Sequence, residues 1–253
     1  MFKLYNDDCL NILPKIEDKS VDLILCDLPY GTTANSWDTV IPYDKLWEQY
    51  KRIIKERGVI ALFSLAPFDK TLACSNLEMF RYEWVWEKSN AVGFLNSKRA
   101  PLRKHEVILI FSHKGFCATD EKDNMIYNPQ MEKGDFYVAK SGSKTGNYNN
   151  YKSAVTVTDE RFPSDILKFN SDYPSVHPTQ KPVALCEYLI RTYTDDGGLV
   201  LDNCMGSGSV GVASVNTGRD FIGIELDKGY FDIAERRIKE ASEIGIYNID
   251  NLI

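Results

Sequence analysis

The sequence has few of the features that mark a metalloprotein, a secreted protein or a membrane protein. Its three histidines and six cysteines do not fall at metal-ligand spacings, and it has no Cys-x-x-Cys pair. No apolar run approaches the roughly 20 residues that cross a membrane, and the first residues lack the basic and apolar zones of a signal peptide. These absences predict a reduced, metal-free protein in the cytoplasm, with no membrane partner.

An excess of positive charge is also missing. The 253 residues carry a formal net charge of −6, and the isoelectric point is near 5.2. This balance argues against broad, nonspecific binding to polyanions, although a local basic patch on an acidic protein can still bind a phosphate backbone. The length suits one α/β domain with a small insertion.

Short apolar runs alternate with helical patterns, which predicts a largely parallel sheet with helices on both faces. The strand-like runs are Val21–Cys26, Val59–Ser64, Trp84–Trp86, Val107–Phe111, Leu199–Leu201 and Phe221–Ile224. One helical face repeats between Tyr43 and Lys55, with Gly58 as its stop, and further helices are predicted after Pro182 and around residues 230–238.

The pattern changes between about residues 115 and 173. The stretch 141–152 is rich in serine, glycine and asparagine and shows no core periodicity. We interpret residues 115–173 as an inserted target-recognition region within a main domain formed by residues 1–114 and 174–253. An ordinary surface excursion is the alternative.

One buried-looking strand ends abruptly in the sequence Asp27-Leu28-Pro29-Tyr30-Gly31. Because proline cannot continue a central strand, this segment should lie at the carboxyl end of the strand, where open α/β sheets bind ligands. There Asp27 and a backbone carbonyl beside Pro29 can accept both hydrogens of one amino group, while Tyr30 stacks on a flat ring. A turn carboxylate and a core aromatic are the alternatives for Asp27 and Tyr30.

A glycine-rich turn, Asp202-Asn-Cys-Met-Gly206-Ser-Gly208-Ser-Val-Gly211, follows a second strand-like run and precedes a helical stretch. Glycines in such a turn let the backbone approach a ligand closely and aim amide hydrogens at it. The next strand ends in Glu225, which is placed to accept hydrogen bonds from ribose hydroxyls. The turn and the acid together predict a nucleoside cofactor.

The same glycines also fit the dinucleotide fingerprint of NAD-dependent dehydrogenases. The fingerprint lies near the C-terminus, however, which leaves no room for a second nucleotide-binding half. A pyrophosphate would gain no favourable interaction from the carboxylate of Asp202, whereas a cationic amino-acid group would be attracted to it. Hydride transfer also leaves the Asp27–Tyr30 segment unexplained.

Three motifs resemble those of the DNA methyltransferases that methylate amino groups. Asp27–Tyr30 resembles the family's Asp-Pro-Pro-Tyr tetrad. Asp202–Gly208 resembles its Asp-Pro-Phe-x-Gly-Ser-Gly turn, with Asn203 and Cys204 in place of proline and phenylalanine. His177-Pro-Thr-Gln-Lys-Pro182 looks like a third family element, which lines the methionine end of the cofactor pocket.

The motif order along the chain is the circularly permuted order of the family's beta group. The resemblance implies a Rossmann-like class I methyltransferase fold with a mostly parallel seven-stranded sheet, in which the N-terminal strand lies beside the strand ending at Glu225. It also implies S-adenosylmethionine as the cofactor. The cofactor-binding residues that it carries over are Asp8, Asp27, Thr179, Lys181, Asp202, Asn203, Gly206, Gly208 and Glu225.

For catalysis, the resemblance assigns Asp27, Pro29 and Tyr30 to an amino group of a flipped-out base, with direct methyl transfer and no covalent enzyme intermediate. Members whose tetrad begins with Asp mostly act on adenine, so site-specific methylation of adenine N6 in double-stranded DNA is the first interpretation. Cytosine N4 is the runner-up, and RNA or protein-glutamine methylation is more distant. A noncatalytic DNA-binding protein of the same fold is the alternative from another class.

Basic residues cluster just before the strand that begins near His105. We interpret Lys98, Arg99, Arg103 and Lys104 as phosphate contacts, and His105 either as part of the base pocket or as a structural histidine. The family resemblance also allows a homodimer and a cognate restriction endonuclease that acts separately.

Overall fold

Strands and helices alternate in the computed structural model, which describes residues 1–31, 39–141, 154–170 and 180–250. Within these residues the strands are β1 Phe2–Asn6, β2 Val21–Cys26, β3 Ile54–Ser64, β4 Phe80–Val92, β5 Arg103–Phe111, β6 Glu132–Ser141, β7 Ala154–Arg161, β8 Ile166–Lys168, β9 Leu199–Asp202 and β10 Asp220–Glu225. The α-helices are α1 Cys9–Ile12, α2 Tyr43–Ile53, α3 Phe68–Ser75, α4 Val183–Tyr193, α5 Ser209–Asn216 and α6 Lys228–Asp250. None of these helices is long and apolar enough to cross a membrane.

The main sheet of the described residues has the strand order β1-β10-β9-β2-β3-β5-β4-β8. β5 is antiparallel to β3 and β4, and all other neighbours are parallel. The sheet is therefore mostly parallel, as predicted, but it has eight strands rather than seven. The additional strand is β8, a three-residue edge strand whose only buried side chain is Leu167, and so short a run carries little signal in a sequence.

The central strands are buried on both faces, as their unbroken apolar sequences require. In β2, Ile24 and Cys26 contribute to a core that includes side chains of α1, α2 and α3. Leu23 and Leu25 contribute to a second core that includes side chains of α4, α5 and α6. The alternation of side chains along β2 thus separates two helical layers, one on each face of the sheet.

The first and last strands of the chain are neighbours in the sheet. β1 pairs parallel with β10, and Asn6 lies opposite Glu225. The side-chain nitrogen of Asn6 donates a hydrogen bond to the backbone oxygen of Glu225 at 2.8 Å. This is the neighbour that the sequence predicted for the N-terminal strand, and it places Asp8, just after β1, at the sheet edge where β10 ends.

The chain divides into two compact units, of which the smaller is Pro129–Ser164. This smaller unit contains β6 and β7, which are antiparallel, with Val138 opposite Val157. The larger unit comprises Met1–Asn128 and Asp165–Ile253.

The smaller unit falls within residues 115–173, the predicted insert. Met125 is buried in a core of the larger unit, and the backbone N–H of Ile126 donates to the carbonyl of Arg57 at 3.0 Å. These contacts attach the first part of the predicted insert to the main domain. Residues 142–153 and 171–173 of the insert lie outside the described residues.

Candidate functional site

A cavity of about 630 Å³ lies at the carboxyl ends of β2, β9 and β10. Parallel strands that give way to turns at one edge leave such a crevice between the turns. The sequence-predicted residues that line this cavity are Asp8, Asp27, Pro29, Tyr30, Arg103, Lys181, Asp202, Asn203, Gly206 and Glu225. Thr179, which the sequence also assigned to the cofactor, lies outside the described residues.

Asp27 opens the turn after β2, and both of its carboxylate oxygens accept hydrogen bonds. The Tyr30 hydroxyl donates to Oδ1 at 2.5 Å, and the Lys181 ammonium donates to Oδ2 at 2.5 Å. The Tyr30 ring packs against Phe68, with the ring centroids 4.8 Å apart. Burial, reinforced by the charge of Asp27, raises the pKa of Tyr30 well above its ordinary value, so the hydroxyl remains a donor. This end of the cavity therefore presents an anionic acceptor beside a fixed aromatic ring.

Lys181 has a contact that the sequence did not predict. Although its side chain lines the cavity, its Nζ lies 2.5 Å from Asp27 Oδ2 and 3.3 Å from Glu106 Oε2. The side chain is only 8% exposed. Burial lowers the pKa of Lys181, but the charges of Asp27 and Glu106 raise it by more, so the group remains cationic. Lys181 thus neutralises the carboxylate at the centre of the site.

Glu106 also lines the cavity, but the sequence analysis did not identify it as a site residue. It lies buried on β5 and forms ion pairs with Lys181 and Lys88. Burial alone raises the pKa of Glu106, but these two ammonium groups lower it below its ordinary value. The signal available in the sequence was an acid at the start of the apolar run Val107–Phe111, where an unpaired charge would be costly.

The glycine turn after β9 is closed by Glu225. The backbone N–H of Gly206 donates to Glu225 Oε2 at 2.8 Å, and that of Asp227 donates to Oε1 at 2.8 Å. Gly206 has φ +51°, a left-handed conformation that favours glycine. Apart from its chain neighbours, no described residue has an atom within 4 Å of the position that a Cβ on Gly206 would occupy, so the turn leaves open space on this side.

Asp202 ends β9 beneath this turn. Its Oδ1 accepts a hydrogen bond from the backbone N–H of Cys204 at 3.1 Å, and the residue is 3% exposed. Burial raises the pKa of Asp202 to about 7. A cation bound in the cavity would therefore meet a carboxylate that is poorly solvated in the unliganded protein.

Asn203 is held by a long-range hydrogen bond, and Asp8 is held by a local one. The Tyr50 hydroxyl donates to the side-chain oxygen of the buried Asn203. Asp8 Oδ1 accepts from the backbone N–H of Leu10 at 2.8 Å and so caps α1. Asn203 braces the floor of the cavity, whereas Asp8 is an exposed residue of its wall.

Gly208, which the family resemblance assigns to the cofactor, packs closely against α6. It has φ +82°, and a Cβ there would lie 2.9 Å from the Cβ of Ala234 on α6. The lining of the cavity among the described residues includes Gly206 but not Gly208. The two glycines of the turn therefore have different surroundings.

Substitution of Gly208 should test this packing. Gly208→Ala should lower the free energy of unfolding by about 3 kcal/mol, because left-handed strain and a clash with α6 add together. Gly218→Ala is the matched control, since Gly218 also has a positive φ, +72°, but among the described residues only its chain neighbours have atoms within 4 Å of the position of the added Cβ. The control should cost only about 1 kcal/mol, the strain alone. Urea unfolding measures both losses, and equal losses would contradict the packing role.

The predicted DNA contacts follow the hairpin formed by β4 and β5. Arg103 begins β5 and lines the cavity. The Lys104 ammonium pairs with a glutamate of β4 at 2.7 Å, and His105 is exposed. Lys98 and Arg99 lie in the exposed connection between the two strands. The structure thus brings Arg103 to the cavity and leaves Lys98 and Arg99 on the hairpin beyond it.

The chain is similar to known DNA methyltransferases over most of its length. It is 28% identical over 251 residues to the DNA adenine methyltransferase YhdJ of Escherichia coli (strain K12), covering 94% of this chain and 83% of that protein. It is 26% identical over 256 residues to the Type II methyltransferase M1.MboII of Moraxella bovis, covering 92% of this chain and 94% of that protein.

Solved structures show the same fold. The M1.HpyAVI–SAM complex superposes with a TM-score of 0.62 at 25% identity, covering 94% of this chain and all of that one. The cytosine-N4-specific PvuII DNA methyltransferase gives a TM-score of 0.68 at 13% identity, which is a likeness of fold alone. The N6/N4 DNA methylase family model matches residues 21–236, which is most of the sequence. The expectation from the three motifs is therefore confirmed, and the chain belongs to the N6/N4 DNA methylase family.

Proposed function

We propose that this protein transfers the methyl group of S-adenosylmethionine to adenine N6 at specific sites in double-stranded DNA. The observation that carries the proposal is that one cavity contains both the Asp27–Tyr30 segment and the turn formed by Asp202, Gly206 and Glu225. A methyl acceptor and a nucleoside-containing methyl donor must meet in such a shared space.

The side chains of the cavity suit S-adenosylmethionine. Glu225 offers carboxylate lone pairs to ribose hydroxyls, and Asp202 offers a counter-charge to the α-ammonium group of the amino-acid end. The open side of Gly206 leaves room for close approach of a ligand to the backbone. When bound, the cofactor supplies a methyl group that its sulfonium makes electrophilic.

Asp27 and Tyr30 act on the base. The lone pair of an exocyclic amino group is delocalised into the ring, so the nitrogen is a poor nucleophile. Asp27 accepts an amino hydrogen and so favours a pyramidal nitrogen, and its fixed negative charge stabilises the positive charge that grows on nitrogen during attack. Tyr30, held by Asp27 and Phe68, stacks on the base and offsets part of the cost of unstacking it from the duplex.

The choice of adenine rests on Asp27 as the first residue of the tetrad and on similarity to a relative named as an adenine methyltransferase. Double-stranded DNA is the proposed macromolecular partner, with Lys98, Arg99, Arg103, Lys104 and His105 as contacts. Target selection by residues 115–173, a homodimer, a separate restriction endonuclease and a cytoplasmic location belong to the same proposal.

Identification of the methylated base tests the proposal. The purified protein is incubated with S-adenosylmethionine and DNA from a host that lacks adenine and cytosine methylation, and the DNA is then digested to nucleosides for mass spectrometry. We expect N6-methyladenine. N4-methylcytosine would overturn the base assignment. The absence of both products, under conditions in which cofactor binding is demonstrated, would refute DNA methylation.

Cofactor binding should depend on pH through Asp202. Because burial raises the pKa of this group to about 7, the unliganded carboxyl group is largely protonated below that pH. A cationic ligand favours the ionised form, so binding should release a proton, and the affinity should rise about tenfold between about pH 5.5 and 7. An α-amino group such as that of the cofactor titrates above this pH range, so its charge does not change between these pH values.

Isothermal titration calorimetry in two buffers of different ionisation enthalpy measures both the affinity and the proton release. Asp202→Asn is the matched variant, because it keeps an oxygen acceptor for the Cys204 N–H but cannot ionise. Its pH profile should be flat over the same range. A flat profile in the unaltered protein would contradict the assignment of Asp202 to the cationic end of the cofactor.

A further inference from the structure

The tip of the β4–β5 hairpin exposes two large apolar side chains that take no part in the cavity. Phe94 is 79% exposed and Leu95 is 97% exposed. Both lie in a short 3-10 turn, Phe94–Asn96, which follows Gly93 in a left-handed conformation with φ +95°. The backbone N–H of Asn96 donates to the Gly93 carbonyl at 3.0 Å, and that of Ser97 donates to the Phe94 carbonyl at 3.0 Å. The apolar tip is therefore a hydrogen-bonded turn that presents its side chains outward.

The hairpin around this tip has an unusual charge for this acidic chain. Residues 88–105 contain five lysines and arginines and no aspartate or glutamate, while the whole chain has a net charge of −6. Lys88 and Lys104 form ion pairs with glutamates. In the part of the chain that the structure describes, no ion pair is found for the other three cations, Lys98, Arg99 and Arg103. Exposed apolar side chains surrounded by these cations suit a binding partner that is a polyanion with an apolar interior.

The hairpin begins at the wall of the cavity. Trp86 of β4 lies opposite Glu106 of β5, and Val92 lies opposite Arg103. Glu106 and Arg103 both line the cavity. Over this stretch β5 advances only from Glu106 to Arg103, so at about 3.3 Å per residue the paired strands extend roughly 10 Å from Glu106 before the tip turn begins. A duplex that delivers a base to Asp27 would therefore lie within reach of the tip.

We propose that Phe94 and Leu95 insert into the duplex beside the target base and occupy space in the stack when the base leaves it. This inference rests on the proposed function, because it takes double-stranded DNA as the substrate. Apolar side chains that enter between base steps unstack them and replace part of the lost contact. Lys98, Arg99 and Arg103 hold the flanking phosphates, which positions the turn on the duplex. The surrounding cations favour DNA over an apolar protein surface as the partner of the tip.

A double variant, Phe94→Ala with Leu95→Ala, tests the insertion. Both side chains are exposed, so their loss should leave the fold intact. Leu77→Ala is the matched control, because Leu77 is 65% exposed and lies beyond the opposite end of β4. Once the methylated site has been mapped, two short duplexes are compared. One is fully paired, and the other has an abasic position opposite the target base, so that the base is already free to leave the stack.

The double variant should lower the single-turnover rate constant at least about tenfold on the paired duplex, yet stay within about threefold of the unaltered protein on the abasic duplex. Leu77→Ala should match the unaltered protein on both. An unaltered rate of the double variant on the paired duplex would overturn the insertion, and so would equal losses on the two duplexes. If the unaltered protein methylates neither paired nor abasic DNA, the proposed function itself fails, and this result is distinct from the other two.

Discussion

Replacement of Asp27 by alanine should lower the rate of methyl transfer by about a thousandfold or more. The variant loses the carboxylate that accepts the hydrogen bond of the Tyr30 hydroxyl at the end of β2. The dissociation constant of S-adenosylmethionine should change by less than about tenfold, because the proposed cofactor contacts lie mainly at Asp202, Gly206 and Glu225. Single-turnover kinetics with labelled cofactor, together with calorimetric titration, separate the two effects.

Asp27→Asn serves as the isosteric companion of this variant. It keeps an oxygen acceptor but removes the charge, so a similar loss of rate would show that the negative charge matters rather than the shape. Both variants should remain folded, because Lys181 keeps Glu106 as a partner. Thermal unfolding checks this. Transfer at the unaltered rate by Asp27→Ala would remove Asp27 from the mechanism.

Replacement of Lys181 by methionine should lower transfer near neutral pH about a hundredfold and destabilise the protein by about 3 kcal/mol. Without this buried ammonium, Asp27 and Glu106 lose the cation that they share, and Lys88 remains as a partner of Glu106 alone. Protonation relieves such a pair, so the acidic limb of the pH–rate profile should move upward by about one unit or more. Activity should therefore recover partly as the pH is raised.

The double variant Lys181→Met with Glu106→Gln tests the cause of this loss. It removes the charges of Lys181 and Glu106 and leaves one carboxylate, Asp27, and one ammonium, Lys88, so it should recover about 2 kcal/mol of the stability lost in the single variant. Lys122→Met is a surface control, since the Lys122–Asp120 pair has side chains that are 75% and 52% exposed. Its cost should be below about 1 kcal/mol. A Lys181→Met protein with unaltered stability and an unshifted pH profile would contradict the buried charge arrangement.

Structural features that depend on local sequence were predictable. Val21–Cys26 is short, apolar and β-branched, and it is buried on both faces of the sheet, so its strand and the position of Asp27 at its end could be read directly. The N-terminal strand was placed beside the strand ending at Glu225 because the family resemblance supplied the connection. Only the first of these predictions rests on signals within a few neighbouring residues.

Gly58 shows where local reasoning fails. As a predicted helix stop it suggested a helix up to residue 55, but α2 ends at Ile53 and Gly58 lies inside β3. A Cβ at this position would lie 2.9 Å from the carbonyl oxygen of Asp22 on β2. The glycine therefore serves close packing between strands, a requirement set by the tertiary structure that a helix-end rule cannot detect.

The ion pairs of the site likewise could not be predicted from the sequence. Asp27 and Lys181 are 154 positions apart, and Glu106 comes from a third segment. Only the fold brings the ends of these segments together. The sequence identified Asp27 and Lys181 singly, by motif, but their contact and the part played by Glu106 depend on strand order.

A crystal structure of the protein with S-adenosylmethionine bound would test the central claim most directly, namely that donor and acceptor share one cavity. We expect the ribose hydroxyls on Glu225, the amino-acid end beside Asp202, and the methyl group directed toward the space next to Asp27 and Tyr30. A cofactor bound in this cavity with its methyl group directed away from Asp27, or bound elsewhere on the protein, would contradict the account.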